Sequence, residues 1–164
     1  MEYTIILTSI RKILRSLNIE SKKIQKDYGV SIPQLMCLEY LGGLPDFRAT
    51  HASIAKQLNL NSSTISGILE RLEQKGYIAK LPNPSDKRSL FISLTAKGAN
   101  LLKSSPQLLH ERLSRKLKSL PKEKVDNIVS ALETLVECFD ISEINASPII
   151  TLEDPIVPEN LKSK

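Results

Sequence analysis

The sequence has few of the residues from which disulfide frameworks, metal sites and catalytic centres are built. Its two cysteines, Cys37 and Cys138, lie far apart without a Cys-x-x-Cys spacing, which is too sparse for a disulfide framework. The two histidines, His51 and His110, have no neighbouring Cys or His and so indicate no metal site. Gly-rich phosphate loops and Gly-x-Ser-x-Gly elbows are also missing. We predict that the protein is not an enzyme and uses neither a metal nor a cofactor.

Long apolar runs are missing as well. No stretch reaches the roughly 18 apolar residues of a membrane-spanning helix, and the apolar segment Ile5-Ile6-Leu7 precedes no small-residue cleavage pattern. Glycine and proline are too few to indicate a disordered or fibrous chain, whereas 41% hydrophobic and 25% charged residues are usual for a globular domain. We therefore expect a folded, soluble, cytoplasmic protein with no membrane partner.

Positive charge is concentrated in the central segment of the chain. The net charge is +5 at pH 7, and residues 48–98 contain eight Lys or Arg against three acidic residues. The remaining residues are balanced, with 15 basic and 15 acidic side chains. Such a segment is either a solvated surface or one that meets a polyanion such as nucleic acid.

Two helices are predicted before the basic segment. Apolar residues recur at helical spacing from Ile10, and Gly29 ends this first helix. Ser31-Ile32-Pro33-Gln34 is typical of a capping box, so a second helix should begin there and end near Leu41.

Within the basic segment, the pattern predicts a helix-turn-helix followed by a β-hairpin. Thr50 and Asn61 each cap a short apolar stripe, and Gly76 ends the second of these helices. Residues 77–80 and 90–94 then alternate as strands do. The loop between them contains two prolines, Asn and Asp, and it carries a basic tip. A hairpin of this kind is a wing.

The last part of the chain returns to helical spacing. Thr95 caps a helix that Pro106 should kink or interrupt, because proline lacks a backbone donor and clashes with the preceding turn. A further helix starts near Pro121. Residues 145–164 show no period and are expected to form an extended tail.

Two parts of the predicted winged motif have the chemistry of DNA recognition. Its second helix begins with four small hydroxyl residues, at the turns from which a helix in the major groove reads bases. In the wing, the spacing of Asp86 and Arg88 favours a carboxylate that holds the guanidinium for entry into the minor groove. Helix N-termini also favour Ser and Thr for capping, and exposed loop ion pairs contribute little stability. The residues that we predict to bind DNA are Ser62, Ser63, Thr64, Ser66, Arg71, Lys80, Asp86, Lys87 and Arg88.

Several motifs follow one another in an order typical of one family of regulators. They are Ile54-Ala55 with Leu58, Asn61-Ser62-Ser63-Thr64-Ile65-Ser66, Arg71-Leu72-Glu73-Gln74-Lys75-Gly76-Tyr77-Ile78, Asp86-Lys87-Arg88 and Leu94-Thr95-Ala96-Lys97-Gly98. Residues 31–98, which contain them, resemble the core of the MarR (multiple antibiotic resistance regulator) family. The resemblance implies a mainly α fold with a minor β part, a winged helix-turn-helix with N- and C-terminal dimerisation helices. The implied segments are 1–30 (dimerisation), 31–98 (DNA binding), 99–144 (dimerisation) and 145–164 (tail).

The resemblance also implies partners and a mode of action. Two recognition helices of a homodimer would bind double-stranded DNA at a pseudo-palindrome, usually as a repressor that a small molecule releases. We expect a small aromatic or lipophilic effector. Tyr3, Tyr28 and Tyr40 are candidates to line its pocket, although amphipathic packing explains these tyrosines equally well.

Two residues depart from the family pattern. Gly67 stands where many members place Arg or another long polar residue on the recognition helix, which shifts specificity toward the hydroxyls and the wing. Pro106 falls inside a helix that is usually continuous, so the spacing of the recognition helices is expected to differ.

Two other functions remain open at this point. A winged helix can instead bind a protein partner. Gly67 and the short side chains around it leave that alternative open, because they offer few long polar groups for DNA. A thiol-based redox regulator would require Cys37 or Cys138 to be reactive, yet nothing near Cys37 in the sequence would lower the pKa of its thiol.

Overall fold

The computed structural model of the chain describes residues 2–86, 88–144 and 146. These residues form two compact units, one up to Pro106 and the other from Gln107 onward. The first unit contains, in chain order, α1 (Glu2–Tyr28), α2 (Ile32–Gly42), β1 (Arg48–Thr50), α3 (His51–Leu58), α4 (Ser62–Gln74), β2 (Ile78–Pro82), β3 (Leu90–Leu94) and α5 (Ala96–Ser104). The predicted class, mainly helical with a small β part, is confirmed.

Helix starts in the first unit follow the predicted caps. The Ser31 hydroxyl accepts a hydrogen bond from the Gln34 amide, and the Gln34 side chain accepts one from the Ser31 amide, which completes the capping box of α2. Thr50, Asn61 and Thr95 cap α3, α4 and α5 through their side-chain oxygens. Local sequence therefore determines where these helices begin.

The wing belongs to a three-stranded antiparallel sheet of order β1-β3-β2. β2 pairs with β3 so that Ile78 lies opposite Leu94, and β1 pairs with the other edge of β3 so that Arg48 lies opposite Ser93. The sequence pattern predicted β2 and β3 but not β1. Three residues are too few to show the period of a strand, and the partner of β1 is distant in sequence.

One core holds α2, α3, α4 and the sheet together. Its buried residues are Cys37, Leu38, Leu41, Ala49, Ile54, Leu58, Ile65, Ile68, Leu69, Leu72, Ile78 and Ile92. Gly98 allows α5 to begin against this core, because an added Cβ there would lie 2.3 Å from the Tyr77 carbonyl oxygen. The apolar face of α4 is buried in this core, and its opposite face is left exposed.

The second unit contains α6 (Leu109–Lys118) and α7 (Lys122–Cys138). Since α5 ends at Ser104, Pro106 interrupts the helix rather than kinking it. Helix α1 begins at Glu2, so the helical pattern seen from Ile10 in the sequence continues toward the N-terminus. The predicted tail, residues 145–164, lies outside the described residues except for Ala146. No helix within the described ranges is both long and apolar enough to cross a membrane.

Candidate nucleic-acid interface

The start of α4 is a capped helix end with exposed hydroxyls. Asn61 Oδ1 accepts hydrogen bonds from the Thr64 amide and the Ser63 hydroxyl, both at 2.8 Å. Ser62 and Ser63 are exposed, and Thr64 is half-buried. Asn61 thus supplies the cap, so the hydroxyl oxygens of Ser62 and Ser63 are not needed for capping and can still accept a hydrogen bond.

Ser66 is held differently from the other three hydroxyls. Its Oγ donates to the Ser62 carbonyl at 2.9 Å and lies 3.0 Å from His51 Nε2. With the hydroxyl hydrogen on the Ser62 carbonyl, the Ser66 oxygen can accept from the Nε2–H tautomer of His51. His51 is the first residue of α3, and it thereby joins the two helices of the helix-turn-helix.

Sequence reasoning considered His51 only as a metal ligand and missed this role. The sequence did predict the tight turn between α3 and α4, and this turn could have indicated the contact between His51 and Ser66. A tight turn between two short helices brings the first turn of one toward the second turn of the other.

Side-chain to backbone hydrogen bonds organise the loop between β2 and β3. Asp86 Oδ1 accepts from the Arg88 amide at 2.9 Å, and Asn83 Oδ1 accepts from the Ser85 amide at 3.0 Å. Asn83 also donates to the Ser89 hydroxyl at 2.8 Å. Such turns reduce the conformational freedom of a loop before it meets a partner.

The predicted pairing of the Asp86 carboxylate with the Arg88 guanidinium was wrong. The ion pairs between described residues involve other side chains. The Asp86 carboxylate can bond the Arg88 amide without ordering the long arginine side chain. The hydrogen bond to the amide, known as an Asx turn, therefore forms in place of the ion pair. Arg88 is exposed, and Lys87, predicted as a neighbouring contact, lies outside the described residues.

Lys80, predicted to bind DNA, forms an ion pair within the protein. Its ammonium lies 2.6 Å from a carboxylate oxygen of Glu73, so the pair connects β2 with α4. Because both side chains are more than a third exposed, the pair adds little to stability. Its effect is to neutralise one positive charge beside the wing.

The beginning of α3, the side of α4 and the wing enclose one groove of about 690 Å³. The predicted residues Ser66, Lys80, Asp86 and Arg88 line this groove together with His51. The other predicted residues of α4 lie elsewhere on the helix surface: Ser62, Ser63 and Thr64 at its start and Arg71 in its third turn. Four nitrogen-bearing side chains, those of His51, Lys80, Asn83 and Arg88, line the groove together with the Asp86 carboxylate. Because Lys80 is paired with Glu73, Arg88 carries the positive charge that the groove offers to an anionic group.

Two other types of site have little support in the described residues. Burial raises the pKa of the Cys37 thiol from its ordinary value of 9.0 to about 12, so this thiol is not activated. Cys138 is exposed at the end of α7. Across the described part of the chain, no group of three or more His, Cys, Asp or Glu side chains is placed to hold a metal ion.

Comparison with known proteins identifies a family of regulators. The model of the MarR family matches residues 30–90. The chain is 30% identical over 123 residues to the organic hydroperoxide resistance transcriptional regulator of Bacillus subtilis. This alignment covers 75% of the present chain and 81% of the B. subtilis protein. The chain is 35% identical over 72 residues to the multiple antibiotic resistance protein MarR of Escherichia coli. That alignment covers 42% of this chain and spans only half, 50%, of the E. coli protein.

Solved structures share the fold. A MarR family transcriptional regulator from Streptomyces coelicolor, solved in complex with DNA, superposes with a TM-score of 0.61 at 24% identity and covers 88% of this chain and 92% of its own. The reduced form of MarR from E. coli gives a TM-score of 0.53 at 23% identity, covering 79% and 94%. With the family model and the long alignment to the B. subtilis regulator, the chain belongs to the MarR family of winged-helix transcriptional regulators.

Proposed function

We propose that the protein binds double-stranded DNA sequence-specifically as a homodimer and represses transcription until a small-molecule effector releases it. The observation that carries this proposal is the exposed start of α4 beside a groove that Arg88 of the wing also lines. The relative from S. coelicolor was solved in complex with DNA, which supports the same partner for this chain.

Each part of the surface has a distinct role in this proposal. The start of α4 enters the major groove, where Ser62, Ser63 and Thr64 contact base edges or phosphates. The wing presents Arg88 to the narrower minor groove. Asp86 prepares the wing by fixing the Arg88 amide at 2.9 Å rather than by holding the guanidinium.

Exposed apolar side chains support the homodimer. A soluble chain that leaves a continuous apolar face uncovered usually buries it against a partner. On α1 these residues are Tyr3, Ile5, Ile6, Leu7, Ile13 and Leu14, and on α7 they are Ile128, Val129, Leu132 and Val136. A two-fold dimer presents two copies of α4, which fits a pseudo-palindromic operator with half-sites about one helical turn apart.

Lysine contacts at the end of α4 support regulation by an effector. The Lys75 ammonium donates to the Gly29 carbonyl at the end of α1, and the Lys97 ammonium of α5 donates to the Lys75 carbonyl at 2.7 Å. A ligand that favours one arrangement of α1 or α5 would therefore shift α4 with it.

The tyrosines predicted to line an effector pocket have separate surroundings. Tyr3 is exposed, and Tyr28 donates to the Ser104 carbonyl at 2.9 Å. Tyr40 packs against the core of the first unit. Because Tyr28 joins α1 to α5, it is the tyrosine through which we propose that a small aromatic or lipophilic effector acts.

The test is selection of bound fragments from a genomic library, followed by affinity measurements at several salt concentrations. We expect one inverted repeat to be recovered, with affinity that falls steeply as salt rises. Arg88→Ala should lower affinity about tenfold and reduce the salt dependence. Arg115→Ala, which removes another exposed cation, on α6, is the matched control and should bind as the unchanged protein does.

Sequence-blind binding, or equal losses from both variants, would reject the proposal. The winged helix would then be tested as a surface for a protein partner. Adding candidate aromatic compounds to the protein–DNA complex tests effector release separately. If no compound releases the DNA, the evidence for sequence-specific binding still stands.

A further inference from the structure

The first two turns of α4 carry no long side chain on their exposed surface. The residues of these turns outside the buried stripe are Ser62, Ser63, Thr64, Ser66 and Gly67, which has no side chain. Short hydroxyls reach a base edge only at close approach, and none of them offers the two parallel donors that distinguish guanine. The start of the recognition helix therefore has a gap in its reading surface at Gly67.

Arg71 extends into that gap. It lies four residues after Gly67, on the same stripe of the helix. A Cβ built at Gly67 would lie 3.9 Å from Nη2 of Arg71, and that is the one contact it would make within 4 Å. Since helical side chains lean toward the N-terminus, the guanidinium is carried back by about one turn from its own Cα.

The guanidinium of Arg71 is not committed to a partner in the described part of the chain. The ion pairs there use Arg48, Lys80 and Lys122. Arg71 is exposed, and its backbone carbonyl accepts a hydrogen bond from the Lys75 amide. Its side-chain donors are thus available at the exposed surface of α4.

We propose that Arg71 is the specificity-determining residue of the recognition helix and that it reads a guanine in the major groove through the space left by Gly67. The proposal rests on the proposed function, since it assigns one base contact within that interface. A guanidinium donates two parallel hydrogen bonds to O6 and N7 of guanine, a match that no hydroxyl provides. Gly67 contributes by having no side chain that would displace the guanidinium.

The experiment compares binding preferences of the full-length protein, Arg71→Lys and Gly67→Leu on the selected operator and on variants with each base pair replaced. Arg71→Lys keeps the positive charge but removes the two parallel donors of the guanidinium. We therefore expect the preference for one G·C pair in each half-site to fall about tenfold or more. The salt dependence should stay unchanged, because the number of cations is unchanged.

Gly67→Leu should reduce preference at the same base pair, because leucine fills the space in which the guanidinium lies. Leucine has a higher helix propensity than glycine, so the loss is not explained by a weaker α4, and circular dichroism checks the fold. Arg115→Lys is the control for the Arg-to-Lys exchange, since Arg115 lies on α6 in the second unit.

The outcomes separate this inference from the proposed function. If Arg71→Lys weakens all sequences equally, or changes no base preference, Arg71 contacts phosphate or nothing, and the inference is overturned while DNA binding stands. If the unchanged protein prefers no sequence, the proposed function fails, and this inference fails with it.

Discussion

At the scale of single residues, Cys37 lies fully buried in the core of the first unit. Burial disfavours the thiolate and raises the pKa of the thiol to about 12. We therefore predict that a thiol-reactive disulfide reagent at pH 8 modifies Cys138, which is exposed, but modifies Cys37 only after denaturation. The measurement is mass spectrometry of the labelled protein with and without denaturant.

The same pKa predicts how the free energy of unfolding depends on pH. In the unfolded chain the thiol ionises near its ordinary value of 9.0, whereas in the folded protein it stays protonated until about 12. The contribution of Cys37 is thus complete below pH 9 and is lost as the pH rises toward 12. Cys37→Ser removes this dependence, and comparison of urea unfolding for both proteins measures it. Rapid labelling of Cys37 in the native protein would contradict the assignment.

Single-residue predictions succeeded where the chemistry is local. The caps at Ser31, Thr50 and Asn61 each bond an amide three residues away, so sequence alone contains the information. Asp86 was misassigned because two local partners, an amide and a guanidinium, compete for it. His51 was missed because its partner, Ser66, lies on the next helix and is reached only after folding.

At the scale of elements, the junction of β2 and α5 depends on Gly98. An added Cβ would lie 2.3 Å from the Tyr77 carbonyl oxygen, a backbone atom that cannot move aside without shifting the strand. We predict that Gly98→Ala lowers the free energy of unfolding by roughly 2–3 kcal/mol, as expected for overpacking. Urea unfolding measures the change.

Gly43→Ala is the control for that substitution. Gly43 has a φ of −82°, and an added Cβ would make its nearest contact at 3.5 Å, an ordinary distance. The expected change is within about 0.5 kcal/mol. Equal destabilisation by both substitutions would show that close packing against Tyr77 does not explain the requirement for glycine at position 98.

Helices and strands with a long periodic pattern of apolar residues were predicted better than short ones. The helices α2, α3 and α4 and the wing strands carry several periodic residues between clear start and stop signals. β1 has three residues, and it exists because β3 lies beside it. The spacing between helix, turn, helix and wing places most of the candidate interface, and the placement of Arg71 against Gly67 follows from their four-residue separation on α4. The Lys80–Glu73 pair, in contrast, joins two elements and depends on tertiary structure.

At the scale of the whole molecule, the proposed dimer determines how tightly an operator is held. Leu132 of α7 is 54% exposed in the single chain, beside other exposed apolar residues of that helix. We predict that Leu132→Glu produces a monomer, because a carboxylate on this face would lose its hydration on association. Sedimentation equilibrium measures the change of state, and Glu133→Gln, an exposed neighbour on α7, is the control.

Binding by the monomer then separates recognition from assembly. One copy of α4 and its wing still contacts a half-site, so salt-dependent binding should persist. The affinity for the full inverted repeat should fall by about 100-fold or more, because the second half-site is no longer bound intramolecularly. A variant that stays dimeric would place the interface away from Leu132, leaving the apolar face of α1 to be tested in the same way. A monomer that binds the full repeat as tightly as the unchanged protein would show that each chain recognises DNA independently, and the requirement for two-fold symmetry in the operator would be withdrawn.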